Sequence, residues 1–97
     1  MVNLYRRGRI AEKKVVNYLK KKRFRNIRRS RGSRGPADIY ARKGGKKFYI
    51  QVKYGQSRPS KSEIRRLRNL AKKRGGVAAL IHRSREGKIR WRFLGRW

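Results

Sequence analysis

Three polar residues lie around a glycine pair in the middle of the chain, and their types suit chemistry on phosphate esters. Asp38 belongs to one β-rich run, Gln51 and Lys53 belong to the next, and Gly44-Gly45 separates the two runs. A glycine pair between alternating runs predicts a hairpin with a tight turn. Asp38 then lies opposite Gln51, with Cβ atoms about 5 Å apart. Lys53 lies diagonally across on the same face.

A carboxylate, an amide oxygen and a lysine on one patch could bind and use a divalent cation. Mg²⁺ prefers oxygen ligands and keeps several of its waters. It can activate a water and stabilise charge on a transferring phosphate, and Mn²⁺ is a second candidate. The lysine would stabilise the same charge or orient the water. The plain alternative is that Asp38 and Lys53 form an ordinary cross-strand ion pair.

Acidic residues are scarce, so each one asks for an explanation. The chain has 33 Lys plus Arg and four Asp plus Glu. Glu63 fits a helix capping box with Ser60, and Glu86 lies in a turn-like stretch. Glu12 lies at the edge of the apolar face of a predicted helix, where a lone carboxylate is costly to bury. We therefore expect Glu12 to join Asp38 and Gln51 as a third metal ligand, although a solvated helix position is the alternative.

The elements that must position these residues alternate between helical and strand patterns. We predict helices over about 7–22 and 60–74, strands over about 24–29, 37–42, 47–54, 77–82 and 89–94, and a basic glycine-rich loop over 31–36. On the hairpin, the apolar residues expected to face the core are Ile39, Ala41, Phe48, Ile50 and Val52. This order predicts one α/β domain over residues 1–97, with a mixed central sheet flanked by helices.

Composition points to an anionic partner. The net charge is +29 over 97 residues, which strains a compact state by self-repulsion unless a polyanion such as nucleic acid neutralises it. There is no cysteine, so disulfides and thiolate metal sites are excluded. No stretch predicts a transmembrane helix or a secretion signal. We expect a cytoplasmic protein.

Some of the basic and aromatic residues are placed to contact nucleic acid. The candidates for tracking phosphates are Arg6, Arg7, Arg9, Arg28, Arg29, Arg31 and Arg34, with Ser30 and Ser33 as hydroxyl donors. Solvated surface and turn chemistry are the alternatives for these residues. The tyrosines could stack on bases, but packing is favoured for them. Leu70, Trp91 and Phe93 are candidates for either the core or a subunit interface.

The ordered segments of the chain resemble the archaeal Holliday junction resolvases, within the PD-(D/E)XK nuclease superfamily. The segments that carry the resemblance are Tyr5-Arg-Arg-Gly-Arg-Ile-Ala-Glu-Lys13, Arg29-Ser-Arg-Gly-Ser33, Gly35-Pro-Ala-Asp38, Ile50-Gln-Val-Lys53 and the stretch from Gly75 through Leu94. The Asp…(Glu/Gln)-x-Lys motif alone is degenerate, whereas the five segments in order are specific.

The resemblance implies a restriction-endonuclease-like fold and a Mg²⁺-dependent nuclease of DNA recombination and repair. It implies that Glu12, Asp38 and residue 51 gather the metal ion and that Lys53 is catalytic. Arg29 and Ser33 would act at the scissile phosphate. It also implies a homodimer that nicks two strands of a four-way junction symmetrically.

One position departs from the family pattern. The resemblance implies a glutamate at residue 51, where this chain has Gln51. An amide oxygen can coordinate a cation, but the site has one negative charge fewer. Three interpretations stay open: an active nuclease with a weaker metal site, a junction-binding protein that has lost cleavage, and an engineered inactive variant. A basic RNA-binding or architectural DNA protein is the contrasting class, which composition alone would favour.

Overall fold

The computed structural model describes residues 4–30 and 35–97, and within the first helix it describes the side chains of residue 10 and of residues from 12 onward. The elements are α1 (Leu4–Lys21), β1 (Arg25–Arg29), β2 (Ile39–Lys43), β3 (Lys46–Tyr54), α2 (Lys61–Arg74), β4 (Val77–Arg83) and β5 (Ile89–Arg96). This is the predicted element order, and the predicted bounds lie within three residues of the observed ones.

The five strands form one mixed sheet in the order β1-β2-β3-β4-β5. Neighbouring strands are antiparallel except β3 and β4, which are parallel. A parallel connection needs a crossover, and helix α2 supplies it between these two strands. Strand β3 is therefore central, with α2 crossing between its carboxyl end and the start of β4.

Each helix covers a different face of the sheet. Val15 and Leu19 of α1 pack against Ile39 and Ile50, in a core cluster that also holds Ala41, Ala79 and Ile81. Leu67 and Ala71 of α2 pack on the opposite face, with Ala37, Tyr49 and Ala78. The hairpin residues predicted to face the core do so, because the apolar side of the alternating pattern lies under α1. No helix among the described residues is long and apolar enough to cross a membrane.

The ends of α2 follow from its sequence. Ser60 is the N-cap, and its hydroxyl accepts a hydrogen bond from the Glu63 amide while the Glu63 carboxylate accepts one from the Ser60 amide. Gly75 ends the helix in the left-handed conformation, at φ 69°. The predicted capping box and glycine stop are both confirmed. These ends fix where Glu63 stands relative to the sheet.

Candidate active site

The hairpin register is set by the turn at Gly44-Gly45. Both glycines have positive φ, 58° and 76°, as a two-residue hairpin turn requires. Strands β2 and β3 pair in the predicted register as far as Ile39 opposite Ile50. The turn therefore fixes which residues of β3 stand beside the start of β2.

Asp38 lies one residue beyond this paired ladder, and here the structure differs from a simple cross-strand pair. Its amide donates to the Ile50 carbonyl at 2.8 Å, and its side-chain Oδ2 accepts the Val52 amide at 2.8 Å. The side chain thus replaces the backbone carbonyl that a regular ladder would offer to Val52. This bond holds the carboxylate beside the central strand β3, at the residue that follows Gln51.

Gln51 is buried, with 6% of its surface exposed, on the face that α2 covers. Its Nε2 donates to Oε2 of Glu63. Its Oε1 is buried and finds no hydrogen-bond partner among the described parts of the chain. A buried carbonyl oxygen without a partner is uncommon in folded proteins and calls for a bound water or ion.

Lys53 follows on the same face and contacts the same glutamate. Its Nζ lies 3.0 Å from Oε2 of Glu63, with 19% of the lysine side chain exposed. Lys53 thus forms its ion pair with Glu63, and not with Asp38 as the plain alternative supposed. While it bonds to Glu63, the ammonium is also a nearby positive charge that partly offsets the burial that raises the pKa of Asp38.

Glu63 is the site residue that the sequence analysis missed. One of its oxygens closes the helix cap, and the other accepts from Gln51 and Lys53. The Ser60 amide and then the Lys53 ammonium hold its pKa down at about 2. A signal was present: Glu63 and the buried Leu67 are four residues apart, so they share one face of α2. The sequence analysis assigned Glu63 to the helix capping box alone.

Glu12 approaches from the other side of the sheet. It projects from α1, and Oε2 lies 3.0 Å from Nη2 of Arg29, with about a quarter of the Glu12 side chain exposed (24%). Arg29 thus neutralises the charge of Glu12, which would otherwise be costly at the edge of the apolar helix face. No three Asp, Glu or His side chains of the described part of the chain come close enough to hold a metal ion by themselves. The expected trio therefore appears as Asp38 beside Gln51, with Glu12 in an ion pair.

Carboxylates from both helices influence the pKa of Asp38. Burial raises the pKa of Asp38, and the hydrogen bond from the Val52 amide partly offsets that rise. The negative charges of Glu12 and Glu63 raise the pKa further. Asp38 thus experiences a carboxylate from α1 and another from α2. A group of nearby carboxylates, one of them largely buried, is a setting in which a cation binds.

Comparison with known proteins agrees with this architecture. Residues 3–96 match the family model described as archaeal Holliday junction resolvase (Hjc). The chain belongs to the archaeal Holliday junction resolvase family. Its fold is similar to that of Hjc, a Holliday junction resolvase from the archaeal hyperthermophile Archaeoglobus fulgidus, with a TM-score of 0.77 and 24% sequence identity, covering 90% of this chain and 77% of that one. No curated protein sequence matches the chain.

Archaeal Holliday junction resolvases are nucleases that bind branched DNA, and nucleases of this kind generally use a divalent metal ion. The residues present fit such an ion in one decisive respect. The buried, unpartnered Oε1 of Gln51 lies in the same site as the carboxylates of Asp38 and Glu63. These are the hard oxygen donors that Mg²⁺ and Mn²⁺ accept.

The basic residues expected to contact DNA are described only in part. Arg28 is exposed on β1 and lines a groove of about 690 Å³, together with Arg42, Lys47 and Arg74. Tyr40 and Tyr49 lie in the same groove, with ring centroids 5.7 Å apart. The side chains of Arg6, Arg7 and Arg9 lie outside the described part of this resolvase-family chain, and so do residues Arg31, Ser33 and Arg34.

Proposed function

We propose that the protein is a metal-dependent, structure-selective DNA endonuclease that resolves four-way junctions by paired symmetric nicks. The observation that carries the proposal is the meeting of Asp38, Gln51 and Lys53 at the carboxyl-terminal half of the central strand β3. The chain belongs to a family of junction resolvases, and the resemblance of its ordered segments implies that these residues form the metal-binding and catalytic set. DNA repair and recombination, close to the cellular DNA, would be the setting of this activity.

Asp38 and Oε1 of Gln51 would hold Mg²⁺, or Mn²⁺ in its place, with Glu12 approaching from α1. When bound, the ion would activate a water and offset charge on the phosphate. Lys53, which lies two residues after Gln51 on β3, would stabilise negative charge at the scissile phosphate or orient the attacking water. Arg29 and Ser33 are proposed to contact that phosphate, and the remaining arginines to track the DNA backbone.

We also propose that the protein works as a two-fold homodimer. Two symmetric incisions need two active sites facing matched strands, and a closed C₂ interface supplies that geometry. Of the interface candidates, Phe93 is 60% exposed on the edge strand β5, whereas Leu70 and Trp91 are half-buried. Trp91 stacks on Phe24 and donates from Nε1 to the Tyr18 hydroxyl, so most of it serves the fold. Phe93 is therefore the residue best placed for a partner.

A junction-binding protein that does not cleave is the second candidate. It is favoured by the neutral Gln51 and by the ion pairs that occupy both Glu12 and Glu63. Such a protein would keep the basic surface and the affinity for branched DNA. It would lack the negative charge that a divalent cation needs.

Incubation with labelled DNA distinguishes the two candidates. A labelled four-way junction and a linear duplex of the same sequence would each be incubated with the protein in Mg²⁺, in Mn²⁺ and in EDTA. The endonuclease proposal expects paired nicks in the junction with either metal and none in EDTA or in the duplex. Tight junction binding without nicks in either metal would instead establish the binding protein.

A further inference from the structure

The amide of Gln51 is oriented by its neighbours. Because Nε2 donates to Glu63, the amide is fixed, and Oε1 is left as a buried oxygen with no partner within the described residues. Only 6% of the Gln51 surface is exposed, so bulk water does not readily donate a hydrogen bond to that oxygen. An oriented, buried acceptor beside a carboxylate is an arrangement that a cation would complete.

Glu63 is fixed just as firmly. Ser60 holds one carboxylate oxygen at 3.0 Å through the helix cap, and Lys53 holds the other at 3.0 Å. Although 36% of the Glu63 side chain is exposed, the carboxylate cannot rotate away from Gln51 without giving up the cap. It is therefore a preorganised negative group against Gln51, delivered from α2.

We infer that Glu63 supplies, from helix α2, the carboxylate that strand β3 lacks at residue 51, and that it joins Asp38 and Oε1 of Gln51 as a ligand of the divalent cation. Asp38 and Glu63 then give the site two carboxylates, the number that the family pattern obtains from Asp38 and a glutamate at residue 51. The neutral Gln51 becomes a ligand that also orients Glu63, through the bond from its Nε2. This inference rests on the proposed metal-dependent function and adds a residue to its site.

Direct measurement of metal binding tests this inference without relying on cleavage. Mn²⁺ would be titrated into the intact protein, and free Mn²⁺ measured by electron paramagnetic resonance. Glu63→Gln should weaken Mn²⁺ binding about tenfold or more, as loss of a ligand or its close support does. Gln at this position still suits a capping box, so the helix end is kept. Glu86→Gln removes a carboxylate from an exposed turn and should bind Mn²⁺ as the unaltered protein does.

Moving the charge back to the strand provides the second variant. Gln51→Glu combined with Glu63→Gln restores one carboxylate at the site and should recover most of the lost Mn²⁺ affinity. Recovery would support the exchange of a carboxylate between strand and helix. Failure to recover, in a double variant with an unchanged circular dichroism spectrum, would overturn it.

The failure of this inference differs from failure of the proposed function. If Glu63→Gln binds Mn²⁺ normally while Asp38→Asn does not, Glu63 is no ligand, yet the metal site and the nuclease proposal stand. If the unaltered protein binds no Mn²⁺ and leaves junctions uncut in Mg²⁺ and Mn²⁺, the nuclease proposal fails and the role of Glu63 falls with it.

Discussion

At the residue scale, Asp38 separates catalysis from binding. Asp38→Asn keeps an oxygen that can accept the Val52 amide, so the hairpin should persist, but it removes the negative charge from the site. We expect cleavage to be abolished and junction affinity to be nearly unchanged, because the arginines carry most of the affinity. Lys53→Ala should behave in the same way. Gel-shift and cleavage assays on one labelled junction measure both properties.

Lys46→Ala is the matched control for the lysine, since it removes the same charge from an exposed position at the start of the same strand. It should cut junctions at the rate of the unaltered protein. Normal cleavage by Asp38→Asn would contradict the assignment of Asp38 to the active site.

Gln51→Glu tests the charge of the site from the opposite direction. The new carboxylate would lie against Glu63 and lose the bond that Nε2 donates, in a buried place. Without divalent metal, we expect the free energy of unfolding to fall by about 1–3 kcal/mol. Mn²⁺ should bind more tightly and restore that stability, because a ligand that binds only the folded state stabilises it. Urea unfolding with Mn²⁺ and with EDTA measures both effects.

Gln56→Glu makes the same chemical change in the exposed turn after β3 and should leave both measurements unaltered. If the unaltered protein cuts junctions slowly, Gln51→Glu should cut them faster. Equal stability and equal Mn²⁺ affinity in Gln51→Glu and the unaltered protein would rule out a metal site at residue 51.

At the scale of elements, the N-terminus of α2 serves both folding and the site. Ser60→Ala removes the hydroxyl that accepts the Glu63 amide at 3.1 Å. The free energy of unfolding should fall by about 1 kcal/mol, the usual cost of losing such a cap. The backbone amide of residue 60 remains to hold Oε1 of Glu63, so Mn²⁺ affinity should change little. A large loss of Mn²⁺ affinity at unchanged stability would show that the hydroxyl, and not the amide, positions the carboxylate.

The elements also show which parts of the site could be predicted from sequence. The register of β2 and β3 followed from Gly44-Gly45 and the alternating pattern, because a two-residue turn leaves no freedom in the pairing. The capping box followed from local spacing. Both predictions depend on residues close together along the chain.

The contacts of Glu63 and Glu12 could not be obtained in that way. Whether Glu63 reaches Gln51 depends on the face of the sheet over which α2 crosses from β3 to β4, and local pattern does not specify that face. Glu12 projects from α1, which packs on the face of the sheet opposite to α2, so its position relative to Gln51 depends on long-range packing. Asp38 lies just before β2, where the carboxylates of both Glu12 and Glu63 influence it.

At the scale of the whole molecule, the exposed face of β5 bears on assembly. Phe93 is 60% exposed and stacks on Trp91, with ring centroids 5.7 Å apart. If this face forms the proposed two-fold interface, Phe93→Ser should shift the protein toward monomer in sedimentation. Arg92→Ser alters the neighbouring exposed residue, which points to the opposite side of the strand, and should leave the dimer intact. A protein that sediments only as monomer, free and with junction, would contradict the homodimer.

The net charge of +29 makes the strongest prediction for the molecule as a whole. Lysines and arginines that neutralise phosphates release condensed counterions, so affinity for DNA falls steeply as salt rises. If roughly six to ten phosphates are neutralised, junction affinity should drop by about 10³–10⁵ between about 50 and 200 mM salt.

Single substitutions locate that binding surface. Each contact to a phosphate that is removed should lower the slope of log affinity against log salt by about one. Arg28→Ala and Arg42→Ala, in the groove on β1 and β2, should therefore flatten the salt dependence, and both should weaken junction and duplex binding alike. Arg85→Ala, in the turn before β5, is the control, and it should leave the slope unchanged. A nearly flat titration for the unaltered protein would mean that its basic surface is not where DNA docks.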